Sequence, residues 1–228
     1  MPLRSKSYDQ LESLLSERIL VLDGAMGTMI QALKLSEADV RGERFAEHHK
    51  DLARFSDILC LTRPADITEV HRKYLAAGAD IIETNSFGAS FVGMDEFQLP
   101  RELVKEINVA AAHCARRAAD EFTERNPAKP RFVAGSIGPT AKQMAISTRV
   151  DDPAWRGTNF DEMVDSYYEQ VAALVEGGVD LLLPETVIDT LNLKACLFAI
   201  EKYFQDSGRR LPVIASGTFR SEEHTSEL

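Results

Sequence analysis

The sequence predicts an α/β fold in which short apolar strands alternate with amphipathic helices. Two observations indicate this class. Short apolar runs recur along the chain, and helical patterns of roughly ten residues or more separate most of them. An acidic residue, an amide or a glycine also follows several runs directly. Strands joined through helices pair in parallel, so their carboxyl ends open on one face, where α/β proteins build binding sites.

The apolar runs predict six strands, at residues 19–22, 58–61, 80–84, 131–136, 179–183 and 212–216. Helical periodicity predicts five helices, at residues 8–17, 66–77, 101–124, 161–176 and 189–204. Gly78 ends the second helix, because glycine readily adopts the left-handed backbone found there. Pro127 and Pro130 interrupt the chain before the fourth strand.

This alternation favours an incomplete (β/α)8 TIM-type barrel with about six of its eight β/α units. The turn after the first strand reads GAMG at 24–27, which is not the GxGxxG fingerprint of a dinucleotide-binding sheet. Residues 1–18 are predicted to form a helical lead-in, and residues 19–219 the partial barrel.

Composition excludes several classes of function. The chain has 228 residues, 44% of them hydrophobic, which is enough for a sizeable core. Its 36 acidic and 26 basic residues give a formal net charge of −10, which argues against nucleic acid and anionic membranes as partners. No apolar run approaches the roughly 18 residues of a membrane span, and the start lacks the apolar stretch of a signal peptide. We therefore expect a cytoplasmic protein.

The three cysteines do not predict a metal site. Cys60, Cys114 and Cys196 are far apart in sequence, odd in number and in no CxxC pair. Free cysteines are among the most buried residue types, so we expect core thiols at all three positions.

Several motifs in a fixed order carry a family resemblance. They read DGAMGT at 23–28, RGERF at 41–45, AGADIIETN at 77–85, VAG at 133–135, GPT at 138–140, PET at 184–186, DTLN at 189–192 and SGT at 216–218. In this order they resemble the homocysteine-binding barrel of cobalamin-dependent methionine synthase. The related homocysteine methyltransferases that use betaine or S-methylmethionine share the Asp-Gly turn, whereas the segments at 41–45 and 80–85 look more like the cobalamin-dependent enzyme.

The resemblance implies methyl transfer to the sulfur of homocysteine, giving methionine. In this family a zinc ion activates the thiol, because a coordinated thiol is deprotonated. Three cysteines on late barrel strands hold that zinc, and none of the cysteines here matches them. No catalytic or metal residue is therefore assigned, and no turnover is expected from this chain alone. In the intact enzyme, cobalamin carries the methyl group, and the tetrahydrofolate and cobalamin domains are the expected partners.

The resemblance also assigns the half of the site that holds the amino-acid end of homocysteine. Glu185, with Asp23 nearby, is expected to accept the substrate ammonium through charge-assisted hydrogen bonds. Backbone N–H groups of the turn are expected to bind the substrate carboxylate, because small residues permit close approach. The remaining predicted residues are Gly24, Ala25 and Gly27 of this turn, the hydroxyl of Thr28, and Asn85 with Ser86 after the third strand.

Each assignment has a structural alternative. Asp23 can cap the turn, Glu185 can pair with a basic residue, and Asn85 can satisfy loop backbone. Gly24 and Gly27 can serve the backbone conformation alone. Glu83 is interpreted as a polar filler of the barrel interior and is not assigned to the site.

Two further expectations concern the whole chain. Residues 220–228 have no apolar periodicity, do not match the family and resemble a translated sequencing adapter, so we expect them to lie outside the native fold. Without zinc ligands, a non-catalytic amino-acid-binding module remains an alternative function. An aldolase-type barrel is disfavoured, because no lysine sits at a strand end.

Overall fold

The computed structural model describes residues 2–145, 147 and 149–218. The strands are β1 (Leu3–Arg4), β2 (Ile81–Glu83), β3 (Phe132–Ile137), β4 (Leu181–Pro184) and β5 (Arg209–Arg210). The α-helices are α1 (Lys6–Glu17), α2 (Met26–Gln31), α3 (Glu37–Arg41), α4 (Leu59–Thr62), α5 (Pro64–Ala77), α6 (Phe91–Met94), α7 (Leu103–Arg125), α8 (Phe160–Glu176) and α9 (Thr190–Ser207). Short 3₁₀ helices span Ser56–Ile58 and Asp95–Phe97.

A parallel sheet in the order β2-β3-β4 forms the centre of the fold. Single parallel bridges extend it on both sides, because Leu22 pairs with Ile81 and Val213 pairs with Leu182. The described residues thus provide five neighbouring parallel strand positions, with helices between them. This is part of a TIM-type α/β architecture, and the described strands do not close into a barrel.

The register of the strands places alternate residues on an inner face. Ile81 lies beside Phe132, and Ala134 lies beside Leu181. These four side chains and Leu183 form one buried apolar cluster, into which Leu11 of α1 inserts. Because side chains alternate along a strand, the same face continues towards the carboxyl ends through Glu83, Ser136 and Glu185.

The outer face of the sheet packs against the helices. Ile82, Val133 and Leu182 belong to a large buried cluster that contains apolar residues of α7, α8 and α9. The five predicted helices agree with α1, α5, α7, α8 and α9, and their apolar residues recur at helical spacing. Gly78 ends α5 with a left-handed backbone, φ 115°, as predicted.

The strand predicted at 58–61 is wrong. This run forms the end of a 3₁₀ helix and most of α4, and it lies in a second buried cluster against α7. A short apolar run buried on all sides fits a helix turn as well as a strand, so its pattern could not separate the two. Among the described residues, five of the six predicted strands therefore take part in the central sheet.

The predicted edge strands are shorter than expected. Within 19–22 only Leu22 forms a bridge, and within 212–216 only Val213 does. The backbone of 212–216 nevertheless follows β4, with hydrogen bonds from Leu182 N to Pro212 O and from Ile214 N to Leu182 O, both 3.0 Å. The predicted tail at 220–228 lies outside the described residues.

A buried carboxylate anchors the segment that leads into the site. Asp80 is 1% exposed and accepts hydrogen bonds from the guanidinium of Arg18 at 2.9 and 3.0 Å and from Val21 N at 2.9 Å. These contacts join the end of α1 to the start of β2 and hold the chain directly before Asp23. Among the described residues, no helix combines the length and apolar character needed to cross a membrane.

Candidate functional site

A cavity of about 550 Å³ opens at the carboxyl ends of the parallel strands. Its walls come from the turn at 23–27, the segment at 54–57, the end of β2 with the loop after it, and the ends of β3 and β4. The lining residues are Asp23, Gly24, Ala25, Met26, Gly27, Arg54, Phe55, Ser56, Asp57, Glu83, Thr84, Asn85, Phe87, Gly88, Phe97, Ser136 and Glu185. Strand ends that are distant in sequence therefore meet around one volume.

The structure brings most of the predicted site residues together. Those that line the cavity are Asp23, Gly24, Ala25, Gly27, Asn85 and Glu185. Thr28 is exposed on α2 outside the lining. Ser86 is fully buried beneath it, because its hydroxyl donates to Ser136 O at 2.8 Å and contacts Thr84 Oγ1 at 2.7 Å. Ser86 thus lies in the layer that supports the cavity wall.

Four carboxylates line the cavity, and three of them, those of Asp23, Glu83 and Glu185, come from the strand ends. Asp23 accepts the backbone N–H of Glu83 at 3.1 Å through both oxygens, and Glu185 accepts the hydroxyl of Ser136. Glu83 lies on the inner face of β2, which alternation from Ile81 signals in the sequence. The interpretation of Glu83 as a polar filler of the interior is therefore wrong, because its side chain lines the cavity.

Burial raises the pKa of all three carboxylates. The pKa of Asp23 rises to about 7 because of burial, opposed by the Glu83 N–H bond and reinforced by the charge of Glu185. Burial and the charges of Glu185 and Asp23 raise the pKa of Glu83 to about 8. Burial also raises the pKa of Glu185, against the hydrogen bond from Ser136. No ion pair joins these three carboxylates to a basic side chain of the described residues, and Arg54, the basic residue of the lining, pairs with Glu96. The cluster therefore favours a cationic ligand group.

The glycines of the turn are not needed for its backbone conformation. Neither Gly24 nor Gly27 adopts a positive φ. A methyl group added at Gly27 would meet no atom within 4 Å, and one at Gly24 would make an ordinary contact, 3.4 Å from the ring of Tyr74. α2 begins at Met26, and the first N–H groups of a helix have no partner within it. The start of α2 therefore lies beside open space at Gly27.

The side chain of Asn85 is engaged by the protein. Its Nδ2 donates to Ser56 O at 2.7 Å and contacts the sulfur of Cys60 at 3.7 Å. It thus ties the 3₁₀ helix to the end of β2, as the structural alternative for this residue predicts.

Asp57 is a cavity residue that the sequence reading missed. It is 5% exposed, accepts the N–H of Gly88 at 2.7 Å, and burial raises its pKa to about 6. The sequence pattern predicts a strand at 58–61, which places Asp57 before a strand. Site residues are expected after strands, so Asp57 was not assigned. Only the helical conformation of this segment brings its carboxylate to the cavity.

The cysteines do not fit a zinc site. Cys60 and Cys114 lie in one buried cluster between helices, and Cys196 lies on α9 in another. Burial raises the pKa of the Cys60 and Cys196 thiols, which disfavours the thiolate that zinc requires. Across the described part of the chain, no three His, Cys, Asp or Glu side chains come together as a metal site.

The structure is similar to solved homocysteine methyltransferases. It matches the homocysteine methyltransferase MmuM from Escherichia coli in the metallated form with 25% identity and a TM-score of 0.68, covering 93% of this chain and 67% of that one. The oxidized form matches with 26% identity, a TM-score of 0.68 and coverage of 93% and 66%. The apo form matches with 26% identity and a TM-score of 0.63, covering 92% of this chain and 64% of that one. The chain thus spans about two thirds of the length of these proteins.

A family model agrees with this similarity and covers most of the sequence. The model of the homocysteine S-methyltransferase domain matches residues 20–228. The match includes every strand end that contributes to the cavity. The chain belongs to the homocysteine S-methyltransferase family.

Proposed function

We propose that this chain binds homocysteine by its amino-acid end, within an enzyme that transfers a methyl group to the homocysteine sulfur and produces methionine. One observation carries the proposal. Three half-buried carboxylates face a single cavity at the strand ends, no ion pair to a basic side chain of the described residues neutralises them, and Arg54 of the lining pairs with Glu96 instead. Family membership supports homocysteine as the ligand.

The ammonium of homocysteine supplies the missing positive charge. An ammonium has three N–H donors and no acceptor, so it suits a cavity that offers carboxylate oxygens. Glu185 and Asp23 are its proposed acceptors, each already oriented by one protein donor. Binding an ammonium lowers the pKa of nearby carboxylates, because an opposite charge favours their ionised form.

The substrate carboxylate is proposed to lie at the turn formed by Gly24, Ala25 and Gly27. Backbone N–H groups that point into a concave turn bind anions without adding a charged side chain. Thr28 and Asn85 are proposed at the edge of this subsite, Thr28 through its exposed hydroxyl on α2. Ser86 contributes from beneath, through its contact with the backbone of Ser136.

The methyl donor defines the finer proposal. The motifs at 41–45 and 80–85 support a cobalamin-dependent methionine synthase, in which cobalamin and tetrahydrofolate domains are the partners. A betaine- or S-methylmethionine-dependent enzyme is the competing proposal within the same family. Zinc would activate the homocysteine thiol in either enzyme, and the described residues assemble no group of three ligands for it.

A non-catalytic binding module is a second candidate function. The placement of all three cysteines inside helix layers favours it. A module in which no group contacts the thiol would bind homocysteine and methionine with similar affinity. A site that also selects the thiol would prefer homocysteine.

Calorimetric titration of the chain with L-homocysteine tests the proposal. We expect binding, no binding of N-acetyl-homocysteine, and a loss of roughly 10- to 100-fold in affinity for Glu185→Gln, since a hydrogen bond to a charged group contributes about 1.5–3 kcal/mol. Glu12→Gln, at an exposed position on α1, is the matched control. Wild-type affinity in Glu185→Gln would show that the ammonium lies elsewhere.

A further inference from the structure

Ser136 occupies the centre of a buried polar network under the cavity. It lies on β3, between β2 and β4, and is 2% exposed. Its N–H donates to Thr84 Oγ1 at 2.9 Å, and its carbonyl accepts the Ser86 hydroxyl at 2.8 Å. Its own hydroxyl donates to Glu185. The backbone of Ser136 therefore cannot shift without breaking contacts to the segment that directly follows β2.

The three cavity carboxylates at the strand ends differ in the hydrogen-bond donors that hold them. Glu185 alone accepts a side-chain hydroxyl, and Asp23 accepts a backbone N–H. For Glu83 no such donor is present among the described residues. A donated O–H stabilises the ionised form of the carboxylate that accepts it. The network thus singles out one of three neighbouring acids.

We propose that Ser136 is a positioning residue, which fixes the Glu185 carboxylate as the anionic acceptor for the ammonium of the ligand. The proposal rests on the proposed function and goes beyond it, because no motif or resemblance assigns a role to Ser136. Glu185 shares the cavity with the titratable side chains of Asp23, Glu83, Asp57 and Arg54. Of these, Arg54 is directed to solvent and pairs with Glu96 at 3.3 Å, which leaves the hydroxyl of Ser136 as the polar partner of Glu185.

The test compares Ser136→Ala with Ser166→Ala. Ser166 is an equally buried serine on α8 whose oxygen accepts Val92 N at 3.2 Å, away from the cavity lining. The first readout is the titration of the Glu185 side-chain carboxyl carbon, followed by NMR in the ligand-free chain. The second is the affinity for L-homocysteine as a function of pH, and thermal melting checks that each variant is folded.

Ser136→Ala is expected to raise the titration midpoint of Glu185, to weaken homocysteine binding about tenfold near neutral pH, and to move the onset of binding to higher pH. Ser166→Ala should leave the midpoint and the pH profile unchanged. An unchanged Glu185 midpoint in a folded Ser136→Ala variant would overturn the proposal. If the wild type binds no homocysteine, the proposed function and the ligand part of this inference both fail. If Glu185→Gln abolishes binding but Ser136→Ala does not affect it, only the role of Ser136 is refuted.

Discussion

The backbone N–H of Glu83 donates to both carboxylate oxygens of Asp23 at 3.1 Å, and this contact joins two strand ends separated by 60 residues. The contact gives Asp23 a fixed orientation and brings the side chain of Glu83 beside it. Two acids are thereby held together in a half-buried place, where burial and the charges of Glu185 and Asp23 raise the pKa of Glu83.

The first prediction concerns the pH dependence of stability. The pKa of Glu83 rises to about 8 and that of Asp23 to about 7, so between about pH 4 and pH 8 the folded chain holds protons that the unfolded chain has released. These groups therefore make stability fall as pH rises through this window. Glu83→Gln should remove part of the fall and be more stable than wild type at pH 8.

The free energy of unfolding in urea at pH 5, 6, 7 and 8 measures this effect. Buried His71, whose pKa burial lowers to about 4, contributes the opposite slope up to about pH 6.5, so the difference between wild type and variant is the informative quantity. A difference that does not change with pH would contradict the prediction.

The second prediction concerns Gly27. Its backbone has no positive φ and an added methyl group meets open space, so Gly27→Ala should stabilise α2 by up to about 1 kcal/mol. The same methyl group would obstruct a carboxylate at the turn and weaken homocysteine binding on the order of tenfold. Urea unfolding and calorimetric titration measure the two effects. Unchanged affinity in a stabilised variant would place the ligand carboxylate away from this turn.

The third prediction concerns the anchor before the site. Asp80→Asn removes the charge that Arg18 contacts twice and should lower the free energy of unfolding by about 1.5–3 kcal/mol. Glu12→Gln, in the exposed pair with Arg4, should change stability by less than about 0.5 kcal/mol. Equal effects of the two substitutions in urea unfolding would show that the buried position of Asp80 confers no added stability.

The fourth prediction concerns self-association. Ile19 is 87% exposed and Ile214 is 41% exposed, and both lie on the edge segments of the sheet. Exposed apolar strand edges promote pairing between chains, so we expect the chain to associate as its concentration rises. Ile19→Lys should reduce the average mass in light scattering, whereas Val150→Lys, on a loop away from the edges, should not. A monomer at every concentration would contradict this expectation.

The helices were predictable because their information is local. Each long helix buries one side against the sheet, so apolar residues recur every three to four positions whatever lies on the other side. The strands of the central sheet were predictable for a similar reason. A short buried apolar run between two helices has few conformations other than a strand. The run at 58–61 failed because it is short and buried all round, which leaves no period to read.

The sequence by itself determined the alternation of strands and helices, the family motifs, and the occurrence of Asp23 and Glu185 after strands. It did not determine which polar side chains share the cavity. Glu83, Ser136 and Asp57 reach it through strand register, a hydrogen-bond network and a helical turn, and each depends on contacts between residues far apart in the chain. Local pattern fixes which side of an element is buried, whereas only the packed sheet fixes which distant elements that side meets.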